Sequence, residues 1–528
     1  MKNLKYIIAS FIGLSLVSCN DYLNVKPNNA LTTSTFYNTQ GELDQALTGI
    51  YSGLLPISKH IYSLGELRSD NTWTLIDAKQ NDFMEIAHFN TTALINNSEV
   101  EKTWSDYFSI VASANQFLDK IDNVTFNVDS VKRDYIAEAR FLRALAYFDL
   151  VRFFGNVPVS THTLTQVEAF KLPQSSPKEI YENIIVPDLR YAAENLEMEP
   201  ADYLNTTKLG RANRIAAMGL LGKVYLTMSG FPLNMTEKTD SAKYYLEKVI
   251  DYSFSSGKYW AKTIDDWNKM WIHENDNHNF LFEIQYIATD GYGNAMAPFS
   301  VSSAGTSFTP AKTIAGGHHT YVEKSLKEYF MSKDSVTNTY LDKRAWGTIS
   351  TQDLGSEDST IESSNPQFVK FFENIIKRKT LGYTDMSTSM SSYYMWPQNF
   401  PLLRIEDVML MYTEIVGNTT KGRMILNKIL LRAGKSTVDS KCDADSFQTI
   451  VENERRYELA YEGIRWHDLV RKNKYVTVLK NKFITNDETT NQEYATFASR
   501  VNSTSYLYPI PQSQIDITNG LYKQNPGY

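Results

Sequence analysis

The sequence predicts a mainly α-helical protein, with paired helices in its first half and a large irregular, loop-rich second half. Three observations carry this. Between Val131 and Phe154 the apolar residues Ile136, Ala139, Leu142, Leu145, Ala146, Leu150 and Phe153 recur at spacings of three and four, the period of one helix face. The stretches 211–229 and 239–252 combine small residues with aromatics, as helices that approach closely require. Residues 287–320 and 345–400 lose helical period and are rich in Gly, Ser, Thr and Asn. Irregular stretches of that length are usually functional or disordered.

Taken in order, the chain opens with Lys2 and Lys5, followed by an apolar run from Tyr6 to Val17 that closes on Leu16-Val17-Ser18-Cys19. The run is shorter than the roughly 20 apolar residues a spanning helix needs, and it has the three-part layout of an export signal. Its end resembles a bacterial lipobox, so residues 1–18 are expected to be cleaved and Cys19 to carry a diacylglycerol. Residues 20–45 read as an extended tether with turns at Pro27, Asn28 and Asn29. A helix follows through Leu43, Leu47, Ile50 and Leu54, then a mixed polar stretch over 60–98 and helical spacing from Val100 to Ile121. The helix over 131–154 should stop at Gly155, with Pro158 preventing continuation.

Further helices are predicted near 177–196, 211–229 and 239–252. In the last two, Ala216-Ala217 with Leu220, Leu221, Gly222 and Tyr225, and Ala242 through Val249, match the two helices of a tetratricopeptide unit. The alternating segment Leu281–Tyr286 reads as a strand. Helices resume at 404–416, 420–432 and 446–472. The tail Ser505–Tyr528, rich in Pro and Tyr, is expected to wrap on the surface.

Composition narrows the function. The formal charge is −7, and the leader holds two lysines, so the remainder is more acidic still. Such a chain has no electrostatic footprint for nucleic acid or anionic lipid. The two cysteines are Cys19 and Cys442. With Cys19 acylated, Cys442 is expected to be a free thiol.

Motifs for chemistry are weak. His318-His319 has no ligand set beside it. Gly434-Lys435-Ser436 copies the end of a phosphate loop, but Ile429 stands where the first glycine belongs. No cofactor and no metal are expected. Glu458 and Glu462 lie one helical turn apart. Arg455 and Arg465 are close in sequence, so an ion-pair network is expected there, as for Glu138, Arg140 and Arg143.

Aromatics in irregular segments are the ligand candidates. A sugar needs a flat apolar platform for its C–H face and hydrogen-bonding side chains for its hydroxyls. Trp73, just after Asp70 and Asn71, supplies that combination. Phe89, Tyr292, Phe299 and Trp346 are the other candidates. Trp104 and Trp466 fall inside helical patterns and are expected in the core.

Four segments together resemble the SusD/RagB family of outer-membrane nutrient-uptake lipoproteins. They are Ala137–Pro158; Arg404–Glu414 followed by Leu430–Gly434; Glu454–Arg471; and Tyr506–Pro511 with the ending Gln524–Tyr528. Ile405, Glu406 and Thr413 depart from the family's usual residues, changes expected to affect packing only.

The resemblance implies tetratricopeptide-like helical pairs in an α-α superhelix. It implies an N-terminal region at 19–230 and a C-terminal region at 270–528, the latter with ligand-facing loops and final helices. It also implies a non-enzymatic, lipid-anchored protein on the outer face of the outer membrane. Such a protein captures oligosaccharides and caps a SusC-like TonB-dependent transporter; some relatives take peptides. By position, the candidate aromatics match the two regions from which relatives draw binding residues. The rival readings are a surface glycoside hydrolase and a scaffold that binds only proteins.

Overall fold

The computed structural model describes residues 36–74, 81–199, 208–271, 279–287, 289, 291–294, 296, 320–351, 363–364, 366–372, 381–382, 396–485 and 492–528. Cys19, Phe299 and the His318-His319 pair lie outside them.

The first helix, α1 (Gln40–Ser52), starts in a capping box. The Thr39 hydroxyl accepts from the Glu42 amide, and the Glu42 carboxylate accepts from the Thr39 amide, which satisfies two otherwise orphaned donors. Next come α2 (Ser98–Lys120), α3 (Asp129–Phe154), α4 (Val186–Asn195), α5 (Arg214–Ser229) and α6 (Thr239–Ser256). The predicted helix at 177–196 is continuous but contains a wide π-type turn at Tyr181–Ile185.

Each helix from α2 to α6 packs on the next. The array then continues into the second half, through α7 (Ile405–Val416), which lies on α6, and α8 (Thr420–Arg432), which lies on α7. The small residues do what the pattern implied. A Cβ on Gly222 of α5 would stand 2.7 Å from the Leu246 side chain of α6, so glycine permits the close crossing. The predicted face of α3 is buried, with Leu142 at 0% and Leu145 at 6% exposure.

Three polar residues of α3, Glu138, Arg143 and Asp149, are buried as well, and each meets a partner on a neighbouring helix. Glu138 accepts from the Tyr51 hydroxyl of α1 at 2.6 Å, and Asp149 from the Tyr107 hydroxyl of α2 at 2.6 Å. Arg143 donates twice to Asp188 of α4, at 2.8 and 2.9 Å. Buried polar groups are tolerated when matched in this way.

Among the described residues the strands form three two-stranded antiparallel sheets. These are β1 (Thr72–Thr74) with β5 (Thr320–Val322), β2 (Val157–Pro158) with β3 (Gln174–Ser175), and β4 (Phe280–Ile284) with β6 (Phe400–Arg404).

The second half departs from expectation in three places. The helix predicted over 446–472 is two helices, α9 (Ala444–Glu458) and α10 (Arg465–Arg471). The Glu66 carboxylate, from far away in sequence, accepts the amides of Tyr461 and Gly463 at 3.1 and 2.8 Å. Those amides cannot then serve a continuing helix, and Tyr461 sits at φ 66°. The tail does not simply wrap the surface. Tyr508 and Ile510 are fully buried; the Tyr508 amide donates to the Phe153 carbonyl at 2.8 Å, and the Asn525 side chain to that of Phe154 at 2.8 Å. The tail therefore satisfies the orphaned carbonyls at the end of α3. Glu406, expected to affect packing only, is an ion-pair member: it accepts from Arg432 at 2.7 Å and pairs with Arg404 at 2.8 Å.

That ion-pair cluster is the centre of the second half. Arg404 reaches Glu458 and Glu462, both at 2.7 Å. Arg432 reaches Glu458 at 2.7 Å, Arg344 reaches Asp342, Glu454 and Glu458 at 2.6 Å each, and Lys370 reaches Glu462 at 2.8 Å. Glu458 and Glu462 do sit in a buried ion-pair network, but not with the expected cations: Arg455 pairs with Asp407 and Asp468, and Arg465 with Asp70.

Candidate functional site

The register of β1 and β5 decides which side chains share a face. Trp73 pairs directly with Tyr321, Thr72 with Val322, and Thr74 with Thr320. Directly opposed residues of an antiparallel pair project to the same side. The threonines and Val322 are buried, whereas Trp73 and Tyr321 are only partly buried.

The inward side is tied down. Thr320 shares a 2.6 Å hydrogen bond with Tyr62, and Thr72 donates to the Glu66 carbonyl at 3.2 Å. The other side carries an indole beside a phenol, both partly buried, with the indole packed against the cluster of Phe89, Trp466 and Phe483. Phe483, from the helix Tyr475–Thr485, backs the indole at a centroid distance of 6.2 Å. The Tyr321 hydroxyl makes no hydrogen bond among the described residues. A flat apolar surface with an uncommitted hydroxyl at its edge is the chemistry a sugar ring needs.

Asp70 and Asn71 precede β1, and the structure corrects their predicted role. Asp70 is 6% exposed and accepts from Arg465 at 2.7 and 2.9 Å. Burial pushes its carboxyl up, but Arg456 and Arg465 outweigh that and hold it well below the usual carboxylate range. Asn71 is fully buried and donates to Glu66 at 2.9 Å. Both side chains are buried and turned to partners inside the protein.

Phe89 is corrected likewise. It is 1% exposed, packs near Trp466 and Phe483, and lies under the Arg68 guanidinium at 4.7 Å. Trp104 and Trp466 are in the core as expected, at 4% and 0%.

Tyr292 belongs to a different place. It is 52% exposed and lines a cleft of about 310 Å³ with Tyr51, Leu55, Gly210, Arg211, Glu283 and Gln285. The cleft lies between the end of α1, the turn at 208–211 and the end of β4. Gly210 is required there. It sits at φ 74°, and a Cβ on it would be 2.4 Å from the Gln285 side chain. The polar groups on the largely apolar cleft wall are hydrogen-bonded: Gln285 donates to Glu283 at 3.2 Å, and Arg211 to Asp44 at 2.7 Å. Behind it, burial raises the Glu138 carboxyl to about 7, against the opposing pull of Arg211.

Trp346 stands on a third element, the short helix Ala345–Thr348, and is partly buried. Arg344, the residue before that helix, is locked in the ion-pair cluster.

Tyr321, Tyr51, Arg211, Glu283 and Gln285 were not read from the sequence. Tyr321 becomes visible only through its register against Trp73, more than two hundred residues away. The others come from elements whose meeting leaves no sequence signal. Among the described residues no group of His, Cys, Asp and Glu is arranged to hold a metal ion. No described helix is long and apolar enough to cross a membrane.

Comparison with known proteins adds the following. Residues 350–528 match the family model described as the SusD family. Residues 21–226 match the one described as starch-binding associating with outer membrane. The chain is 24% identical to SusD-like protein P38 of Formosa agariphila, over 91% of this chain and 94% of that one. It is 25% identical to a SusD-like protein of Bacteroides ovatus, over 89% and 83% of the two chains.

Among solved structures it is similar to a SusD homolog from Bacteroides thetaiotaomicron, with a TM-score of 0.77, 23% identity and 94% and 98% coverage. It is also similar to surface glycan-binding protein A from Bacteroides fluxus, with a TM-score of 0.72, 23% identity and 93% and 100% coverage. A laminarin binding SusD-like protein matches with a TM-score of 0.69, 21% identity and 93% and 100% coverage. These structural matches establish the fold.

Proposed function

The chain belongs to the SusD/RagB family, and on that premise we propose that it is a surface glycan-binding lipoprotein that captures oligosaccharides by aromatic stacking. It passes them, without chemical change, to a SusC-like TonB-dependent transporter in the outer membrane. The observation that carries the binding role is the register pair Trp73–Tyr321, a partly buried indole beside a partly buried phenol whose hydroxyl makes no hydrogen bond among the described residues. Tyr292, in its own cleft, is a second aromatic contact, and Trp346 and Phe299 are further ones. Two solved relatives are described as glycan- or laminarin-binding, which supports the class of ligand.

The carboxylates flanking β1 and β5 do not favour hydrolysis there. Asp70 and Glu323 are both engaged by Arg456, and Asp70 is kept ionised. A glycosidase needs a carboxylic acid that can protonate the leaving oxygen. Acylated Cys19 is the proposed membrane anchor, and Cys19→Ala should release the protein from the membrane fraction.

The test is calorimetry with soluble polysaccharides, laminarin and starch among them, combined with measurement of reducing ends. Trp73→Ala and Tyr321→Ala should each weaken binding several-fold, on the order of 1 kcal/mol per ring. No reducing ends should appear. Binding to both variants at wild-type strength would place the site elsewhere, and released sugar would favour a hydrolase.

A further inference from the structure

β1 and β5 are three residues each and lie far apart in sequence, so two short strands alone give the Trp73–Tyr321 pair little rigidity. One buried side chain joins their ends. Arg456, on α9, donates through Nη2 to the Asp70 carbonyl and to Glu323 Oε2 at 3.1 Å. Its Nε donates to Asn71 Oδ1 at 3.2 Å, and Nη1 to Ser325 Oγ at 3.1 Å. Asp70 and Asn71 come just before β1, and Glu323 and Ser325 just after β5. A single planar guanidinium therefore holds the entrance of one strand against the exit of the other. The Glu323 amide adds a 2.9 Å bond to the Asn71 carbonyl on the same line.

We infer that Arg456 is the positioning residue of the aromatic platform: it sets the separation of Trp73 and Tyr321 without touching the ligand. The inference rests on the stacking site proposed above. The fixed fork of the guanidinium matters, because three nitrogens pointing in one plane serve four partners. A lysine ammonium at the end of a flexible stem cannot span both strands. Arg456 is 12% exposed and its guanidinium is taken up by these four residues at the strand ends, so it acts on the platform by holding the strands.

The test uses the full chain labelled with 5-fluorotryptophan. There are eight tryptophans, and the Trp73 fluorine resonance is identified by its loss in Trp73→Phe. In Arg456→Met, which keeps the apolar stem, the Trp73 resonance should shift and broaden while those of Trp267 and Trp271 stay in place. Arg456→Lys should not restore it. Glu323→Gln, which weakens one arm of the clamp, should move the same resonance less, and it serves as the test if Arg456→Met does not fold. An unmoved Trp73 resonance in the folded variants would overturn the inference.

Laminarin and soluble starch supply the second arm. Arg456→Met should weaken binding about as much as Trp73→Ala, and the double variant should be no weaker than Trp73→Ala alone, since both act through one ring. Additive losses would overturn the positioning role. A wild-type Trp73 resonance that neither polysaccharide moves would count against the stacking site while leaving the clamp intact.

Discussion

The helical array and the ion-pair cluster of the second half solve the burial problem in opposite ways. In the array, α3 buries apolar residues around much of its circumference, and its buried charges sit in small local sets, Glu138 with Tyr51 and Arg211, and Asp149 with Tyr107 and Arg152. In the cluster, Arg344, Lys370, Arg404 and Arg432 meet Asp342, Glu406, Glu454, Glu458 and Glu462, each no more than 5% exposed. Apolar burial is non-directional and rewards any close fit. Charge-assisted hydrogen bonds are directional, and a buried charge without its partner is costly. The array is therefore set by shape, and the cluster fixes the relative placement of β6, α7, α8 and α9 by geometry.

The largest effect should come from the cluster. Glu458 serves three arginines at once. Glu458→Ala leaves those cations short of their counter-charge, and breaking a buried pair costs about 3–5 kcal/mol. Urea unfolding should show the loss in full. A change below about 1 kcal/mol would mean that the remaining carboxylates compensate, and the contrast between the regions would fail.

Within the array, Leu142→Ala removes a fully buried side chain from the face between helices. A cost of about 2–5 kcal/mol is expected, depending on how far the site collapses. Leu145→Ala, at a position 6% exposed, should cost less. Unchanged melting temperatures for both would show that the array tolerates cavities that the contrast says it should not.

The pH response should differ in sign between two buried carboxylates, one in each half of the chain and both outside the cluster. In the array, burial raises the Glu138 carboxyl from 4.5 to about 7. The folded state then holds a proton that the unfolded state releases, so this group's contribution falls as pH rises from about 4.5 to 7. In the second half, Glu414 of α7 pairs with Arg471 at 2.5 Å. Burial alone would raise its pKa, but Arg471 and Lys472 outweigh it and lower the group from 4.5 to about 2. That stabilisation is complete above about pH 4.5 and is lost as pH falls toward 2. Each term is a few kcal/mol at most, about 1.4 per pKa unit. Stability-versus-pH curves should lose their neutral-side slope in Glu138→Gln and part of their acid-side slope in Glu414→Gln. If the two variants change the same limb, the assignment of sign to each carboxylate is wrong.

Much of the fold was legible in the sequence because helices announce themselves locally. The period of α3, the span of α8 at 420–432 and the strand near 281–284 are all written in neighbouring residues. The Gly222–Leu246 crossing was implied by small residues in the right place. The break between α9 and α10 was not legible, because Glu66 imposes it from almost four hundred residues away. The burial of Tyr508 was hidden for a similar reason: the carbonyls it satisfies belong to α3.

The site divides along the same line. Residue type and an irregular setting marked Trp73 and Tyr292 as candidates, but marked Phe89 equally, although it packs in the core. Residue type could not tell that Asp70, Asn71 and Phe89 point inward, because nothing near them in the chain says that Arg456, Arg465 and Trp466 will arrive. Nor could it supply Tyr321, whose role exists only through its register opposite Trp73. The sequence by itself determined most of the helices and the family, which depend on short-range periodicity and on motifs in their order. The tertiary structure alone decided which polar groups became buried partners and which aromatics faced outward, because exposure belongs to the meeting of distant segments and not to any one of them.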